Sequence, residues 1–323
     1  MSSDSVGVVV IGRNEGQRLV DCLASLGELS ARTVYVDSGS SDGSQIKAEM
    51  AGVAVIDLDQ ALPFTAARAR NAGYAALLKS HPDLHHVQFV DGDCTLDPRW
   101  IETASVFLDG RPEIALVCGR RRERHPEHSV YNAMCDAEWN GPKGDIVESG
   151  GDFLIRTECF SAVGGFRDSL IAGEEPELCL RLRERGWNIW RLDAEMTLHD
   201  ANILQFRQWW RRALRAGHAF AEVAFLHRGS PKRIWQRNVI RALAWSAIAP
   251  IALLGTLITP WSLLLLLAYP ANILRQAGRS GLSPSSWRAA LYSTIGKFPE
   301  AQGVIKYHLT RLRQGRSTLI EYK

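Results

Sequence analysis

The stretch FVDGDCTLDP, residues 89–98, sets two carboxylates, Asp91 and Asp93, on either side of Gly92 just past an apolar run. Two acids so close repel each other unless a cation sits between them. Oxygen ligands in a small site suit Mg²⁺ or Mn²⁺, and the intervening glycine permits a tight turn. A solvated Asp-Gly turn uses the same letters and needs no ion. Another aspartate, Asp37, ends the run TVYVD, and GRNE (12–15) follows the run VGVVVI. Further along, GEEPEL (173–178) puts Glu174, Glu175 and Glu177 at the start of a helical pattern, where the partial positive charge of a helix N-terminus favours acids. TLHD supplies His199 and Asp200; an imidazole there is either a metal ligand or a packed, hydrogen-bonded side chain.

These groups need elements to hold them. VGVVVI (6–11), TVYVD (33–37), VAVIDL (53–58) and HVQFVD (86–91) read as strands. Helical patterns separate them: one from about Glu15 to Leu26, one in SSDGSQIKAEM, and the Ala-rich TAARARNAGYAALLKS. This alternation predicts a mostly parallel sheet with helices on both faces and ligands beyond the carboxyl ends of its strands. GRNE, Asp37 and Asp91 then gather at one edge. Strand patterns follow at 114–118, 152–156 and 188–192, with a helix from Glu175 to Arg185. Arg120, Arg121, Arg122 and Arg124 read as a solvated charge run on a loop, and Asp97 as a helix cap before Pro98. From Ala201 onward strand patterns stop, and a long amphipathic helix mixing Trp and Arg begins.

The net charge of +3 on 323 residues hides an asymmetry. Residues 200–323 carry 18 Lys and Arg against 4 Asp and Glu, a balance of +14, and residues 1–199 carry 20 against 31, a balance of −11. An acidic half suits a cation, and a basic half suits an anionic surface. Residues 242–274 contain no charged residue in 33 positions, more than the roughly 20 needed to span a bilayer, but prolines at 250, 260 and 270 interrupt them. Arginines flank both ends, which favours a membrane hairpin or in-plane helices over one straight crossing; a buried helical subdomain is the alternative. The expected organisation is therefore a catalytic domain over 1–200, interface helices over 201–241, an apolar hairpin or in-plane pair over 242–274, and a basic helical tail over 275–323. Six scattered cysteines without C-x-x-C spacing, and an N-terminus lacking a basic-then-apolar signal sequence, point to a reduced, cytosolic interior with no zinc site.

The segment after the first strand, GRNEGQRL, is neither a G-x-G-x-x-G nor a Walker A sequence, which sets aside dinucleotide and simple NTPase readings. There is no aromatic-interleaved basic patch of the nucleic-acid type. Six motifs in order resemble those of a family 2 glycosyltransferase of the GT-A fold: VVVIGRNEGQRLVDCLASL, VYVDSGSSDGS, AARARNAG, DGD, GGDFLIRTECFSAVGGF and GEEPELCLRLRERGW, through about residues 6–200. The resemblance implies a nucleotide-sugar donor, most simply a UDP-sugar, and a divalent cation, Mg²⁺ or Mn²⁺. It assigns Asp37 to a base N–H, Arg13 and Glu15 to the base or ribose region, Arg70 to the base or diphosphate, Asp91 and Gly92 to the ribose or a metal-bound water, and Asp93 to the metal, with His199 as a further ligand. Glu175 would be the base that takes the acceptor proton in an inverting single displacement, with Glu174 and Glu177 able to share that role. Glu stands where the family more often has Asp, and Pro176 follows it. Gly151 and Asp152 would lie on the acceptor or diphosphate side. So would Gln208, Arg211 and Arg212 in QWWRR, which is similar to a Q-x-x-R-W segment but ends in Arg; an amphipathic interface helix accounts for QWWRR equally well. Basic flanks around an apolar segment place the enzyme at the cytoplasmic face of the inner membrane, on anionic lipid, with a lipid-linked or saccharide acceptor from surface polysaccharide or glycolipid synthesis. A nucleotidyltransferase of similar fold and a non-catalytic scaffold that binds nucleotide sugars are the rival readings.

Overall fold

The valine-rich run near the N-terminus has no polar face to expose, and it becomes the buried strand β1 (Val6–Gly12) of a nine-stranded sheet. The structure is a computed structural model describing residues 5–313, and these form two compact units that divide between Leu204 and Gln205. In the first unit β1 leads to α1 (Gln17–Ser25), β2 (Thr33–Asp37), α2 (Ser44–Met50), β3 (Ala54–Asp57), α3 (Ala66–Ser80), β4 (His86–Asp91) and β5 (Cys94–Leu96). Then come α4 (Trp100–Asp109), β6 (Ile114–Glu123), α5 (Val130–Trp139), β7 (Gly144–Ile146), β8 (Phe153–Arg156), α6 (Thr157–Ala162), α7 (Glu174–Glu184) and β9 (Asn188–His199).

The sheet order is β3-β2-β1-β4-β8-β6-β9-β5, with β7 on β9. Strands β1 to β4 pair in parallel, as the alternating pattern predicts. Beyond β4 the sheet is mixed: β8 runs antiparallel to β4 and β6, β6 and β9 are parallel, and β5 and β7 each run antiparallel to β9. Helix α3 approaches β1 and β2 so closely that a Cβ on Gly73 would lie 2.5 Å from Val9 and 2.8 Å from Val36. That contact fixes the height of α3 on the sheet and sets Arg70, one turn earlier, at the carboxyl edge. The core is the apolar layer between sheet and helices, with Tyr35, Phe89, Trp100, Phe153 and Phe160 fully buried.

Two local expectations change. Arg120, Arg121 and Arg122 are not on a loop: β6 continues through Glu123, with register irregularities against β9 around Arg120. Arg120 pairs with Asp136 at 2.9 Å and Arg122 with Glu195 at 2.7 Å, so β6 can carry these charges within the sheet. Asp97 does not cap α4, whose N-cap is Arg99; its Oδ1 instead accepts from the Arg99 backbone N–H at 2.9 Å, one turn short of the helix.

The second unit is helical: α8 (Phe206–Leu226), α9 (Gln236–Gly255), a 3-10 segment (Pro260–Leu267), α10 (Ala268–Arg279), α11 (Pro284–Ile295) and α12 (Lys297–Leu312). α12 lies against α8 where Gly217 and Gly303 leave no room for a side chain. The 242–274 segment is not a separate element. It begins inside α9 and turns at 256–260, so that α9 and the 3-10 segment continuing into α10 form the arms of a hairpin. The Tyr269 hydroxyl donates to the Trp245 carbonyl at 2.9 Å, and the Ser262 hydroxyl to the Ala252 carbonyl at 2.8 Å, tying the arms together. Residues 314–323 of the expected basic tail lie outside the described residues.

Candidate active site

Strand register brings the polar groups level. Ile11 stands opposite Asp91 and Gly12 opposite Asp37, so β1, β2 and β4 end together at one edge. Gly92 is needed there for space rather than for a left-handed turn: its φ is not positive, and a Cβ would lie 3.1 Å from the Ile11 carbonyl oxygen and 3.4 Å from Glu15 Cγ. Glu15, beside this turn, pairs with Arg18 at 2.7 Å, and the Arg13 guanidinium lies 5.0 Å from the centre of the Phe64 ring. Asp37 is wholly buried, and its carboxylate accepts from the Tyr35 hydroxyl (2.9 Å), the backbone N–H groups of Gly39 (2.9 Å) and Ser40 (2.7 Å), and the Gln45 amide (3.2 Å). Most of these bonds fall on Oδ2 and fold the turn after β2, while Oδ1 takes only the Tyr35 hydroxyl.

The Arg70 guanidinium is buried, with Nη2 2.9 Å from Asp91 and Nη1 2.9 Å from Glu174 and 3.0 Å from Glu175. Burial works against the charge, but Glu175, Asp91 and Glu174 more than offset it and hold the group protonated. One cation therefore joins the end of β4 to the start of α7. Burial alone would raise Asp91; Arg70 and then Arg121 hold its carboxyl below the usual carboxylate range. Glu175 goes the other way. Burial, followed by the neighbouring Glu174 carboxylate, pushes it up to about 7 although Arg70 opposes them.

Gly151 is the floor of this cluster. A Cβ there would lie 2.6 Å from Arg70 Nη2, 3.1 Å from Asp91 Oδ2 and 3.2 Å from Glu175 Oε1. Because three carboxylates fix Arg70, it cannot swing aside. Gly151→Ala is expected to lower the melting temperature by the equivalent of about 1–3 kcal/mol of overpacking and to reduce turnover by at least tenfold. Unchanged melting and unchanged rate would show that these groups do not converge on Gly151.

On the other side of Asp91, β5 pairs with the end of β9 so that Cys94 stands opposite His199. His199 Nε2 is 3.3 Å from Asp93 Oδ2, both side chains being buried. Cys94 Sγ lies within reach of the same point, but burial and the Asp152 carboxylate push its thiol well above the ordinary range, so it stays protonated and donates to Asp152 at 3.4 Å. The available donors are then a carboxylate oxygen and an imidazole nitrogen, a set that fits a small divalent cation. Asp152 lies beneath this corner, accepting from the Thr197 hydroxyl at 2.7 Å and the Asp91 backbone N–H at 3.2 Å. It props the DGD turn from below.

Arg121 was missed as a site residue. It leaves β6 with Nη2 3.3 Å from Asp91 and Nε 3.5 Å from Asp152, beneath Trp139, whose ring lies 5.0 Å from the guanidinium and packs edge-on to His199 at 4.8 Å. The period-two alternation of a strand continued past Cys118 is the signal that could have found it. Glu177, by contrast, is fully buried on another face of α7, paired with Arg181 at 2.7 Å and Arg167 at 3.2 Å. That pairing removes it from the candidates for base. In the second unit Gln208 closes a capping box with Gln205 at the start of α8, Trp209 is buried against Tyr292, and Arg211 is exposed with Arg212 half-buried on the same helix.

Residues 7–172 match the family model described as Glycosyl transferase family 2. The chain belongs to that family. This glycosyltransferase is 24% identical over 267 residues, 78% of each chain, to the succinoglycan biosynthesis protein ExoA of Rhizobium meliloti (strain 1021). It is 27% identical over 241 residues to the pre-mycofactocin glycosyltransferase of Mycobacterium tuberculosis (strain ATCC 25618 / H37Rv), a match covering 70% of this chain and 49% of that protein. Among solved structures, the mannosyltransferase PcManGT of Pyrobaculum calidifontis, in complex with GDP-Man and Mn²⁺, is similar over 93% of this chain and 87% of its own, with a TM-score of 0.62 and 16% identity. S. aureus TarS 1-349 in complex with UDP-GlcNAc is similar over 90% and 91%, with a TM-score of 0.51 and 14% identity. The glycosyltransferase thus has the GT-A fold that its ordered motifs imply.

Proposed function

We propose that this glycosyltransferase moves a sugar from a nucleotide-sugar donor, a UDP-sugar first, to a hydroxyl of a saccharide or lipid-linked acceptor, by a metal-assisted single displacement with inversion. The observation that carries the reading is Arg70, which holds Asp91 on the donor side and Glu175 on the acceptor side of one cluster. Asp93 and His199 would hold a divalent cation, and their mixed oxygen and nitrogen set favours Mn²⁺ over Mg²⁺. Such a cation, when bound, offsets the charge that builds on a departing diphosphate. Arg70 and Arg121 keep Asp91 ionised beside it, in position for the ribose. Glu175, with its affinity for a proton tuned to neutrality, takes the acceptor hydroxyl proton as the new bond forms. Glu15 and Arg13, beside the turn that Asp37 builds, would face the nucleoside.

The setting we infer is the cytoplasmic face of a bacterial inner membrane, in surface polysaccharide or glycolipid synthesis. ExoA, named for succinoglycan biosynthesis, supports the polysaccharide reading. Among the described residues one helix, Gln236–Gly255, is long and apolar enough to cross a membrane, and only 11% of its most apolar stretch is buried within the protein. The balance of +14 over residues 200–323 suits anionic lipid, at about 1 kcal/mol per well-placed basic residue.

The test is release of nucleoside diphosphate from a panel of UDP-, GDP- and dTDP-sugars by the purified full chain with Mn²⁺. Turnover confined to UDP-sugars, abolished by EDTA and restored by Mn²⁺, is the expected result. Pyrophosphate as product would replace transfer of a sugar with transfer of a nucleotide, and binding without turnover of any donor would make the chain a scaffold.

A further inference from the structure

The base of the α9–α10 hairpin holds a cavity of 420 Å³ that the glycosyltransferase reaction does not use. Arg241 and Trp245 of α9, Asn272, Arg275 and Arg279 of α10, and Lys297 at the start of α12 line it. Four of these carry positive charge and none is acidic. Lys297 is paired with Glu300 at 2.6 Å, and Arg275 is steadied by donating to the buried Asn272 side-chain oxygen at 2.9 Å. A polar cavity of 490 Å³ in the first unit shows the contrast: there Arg122 pairs with Glu195 and Lys143 with Asp193, so its cations are matched by acids of its own walls. The hairpin cavity keeps an excess of positive charge, which suits an anion.

The hairpin above it says which anion. Past the ties at Trp245–Tyr269 and Ala252–Ser262, the tip exposes Leu253, Leu254, Leu257, Ile258 and Trp261, with Ile258 90% and Leu257 85% exposed. A large exposed apolar patch next to a cationic cavity is what a lipid presents in complement: acyl chains above, phosphate below. The lengths agree. From Ala242 to Gly255 α9 runs 14 uncharged residues, about 21 Å, more than the ~15 Å hydrocarbon of one leaflet and less than the ~30 Å of both. A tip sunk into one leaflet leaves Arg241, Arg275 and Arg279 at headgroup depth, with Trp245 and Tyr269 just above them as interfacial aromatics.

We propose that this cavity binds the phosphate headgroup of an anionic phospholipid and so fixes how deeply, and at what rotation, the hairpin enters one leaflet. The inference rests on the membrane setting argued above and adds to it a discrete site. The test is flotation of the purified full chain on vesicles of phosphatidylcholine alone or with 20% phosphatidate, for the wild type, Arg275→Gln with Arg279→Gln, and Lys232→Gln with Arg233→Gln. The last pair removes the same charge from exposed positions outside the cavity. Donor turnover in detergent checks that each variant is folded. The wild type is expected to prefer phosphatidate vesicles, and the cavity pair to lose about 25-fold in partitioning, from about fivefold per basic residue. The outer pair should lose no more than a few fold. Equal losses in both pairs would mean diffuse attraction and overturn the site, while leaving the membrane setting standing. No flotation of the wild type on any vesicle would overturn that setting and the site with it. A thermal shift with inorganic phosphate that the cavity pair abolishes, without any difference in flotation, would assign the cavity to a free anion and refute the lipid.

Discussion

Glu175→Gln is expected to reduce sugar transfer by about 10³-fold in kcat, within the 10²–10⁴ range of a positioned general base, while the KM for donor changes little. The amide keeps the length and the contact to Arg70 but cannot take a proton. The direction with pH follows from the same environment. Burial and Glu174 push the Glu175 carboxyl up to about 7, so it is protonated below that pH and ionised above it. The base form is the active one, and kcat/KM for the wild type should therefore fall about tenfold per unit as pH drops below 7 and level off above it. The residual rate of the Gln variant should be flat across that limb. A wild-type profile that stays flat to pH 5, or a Gln variant with full activity, would remove Glu175 from the chemistry and point to Glu174, which shares Arg70 at 2.9 Å.

Asp93→Ala is expected to cost about 10³-fold in Mn²⁺-dependent transfer, the several kcal/mol that a Lewis acid contributes to a developing diphosphate charge. Mn²⁺ titration followed by electron paramagnetic resonance gives a readout apart from turnover: the variant should bind the ion far more weakly. Asp152→Asn should keep more of the Mn²⁺ affinity, because Asp152 is already engaged by Thr197, Cys94, Arg121 and the Asp91 backbone. Full transfer by Asp93→Ala with the metal present would overturn the metal-assisted mechanism.

The order of strands and the level of their ends were legible because β-branched runs bounded by polar residues leave little choice of secondary structure. GRNE, Asp37 and Asp91 could be placed at one edge from that pattern alone. The wiring among them could not. Arg70 lies in an Ala-rich helix whose letters do not say which carboxylates, 21, 104 and 105 residues away, it will meet. Arg121 was hidden for a related reason. Three adjacent arginines look solvated, and only the register of β6 on β9 reveals that one of them turns inward to Asp91 and Asp152. In GEEPEL the resemblance put Glu175 first as the base, with Glu174 and Glu177 able to share the role; helical geometry separates Glu177, held by Arg181, from the pair that shares Arg70. Gly92 was rightly singled out, but as a turn residue, whereas the Ile11 carbonyl beside it shows that the constraint is room.

The Arg70 junction also limits how such an enzyme can be rebuilt. Because the same guanidinium neutralises a residue of β4 and two of α7, the end of β4 and the start of α7 are not interchangeable modules. A chimera that imports a foreign α7 to change acceptor preference imports carboxylates spaced for someone else's counter-ion. If the new helix lacks its acids, Arg70 keeps only Asp91; if it carries an additional one, negative charge accumulates around a single cation. Acceptor engineering in this scaffold therefore has to transplant α7 together with the Arg70 turn of α3 and the Gly151 loop, as one electrically closed unit.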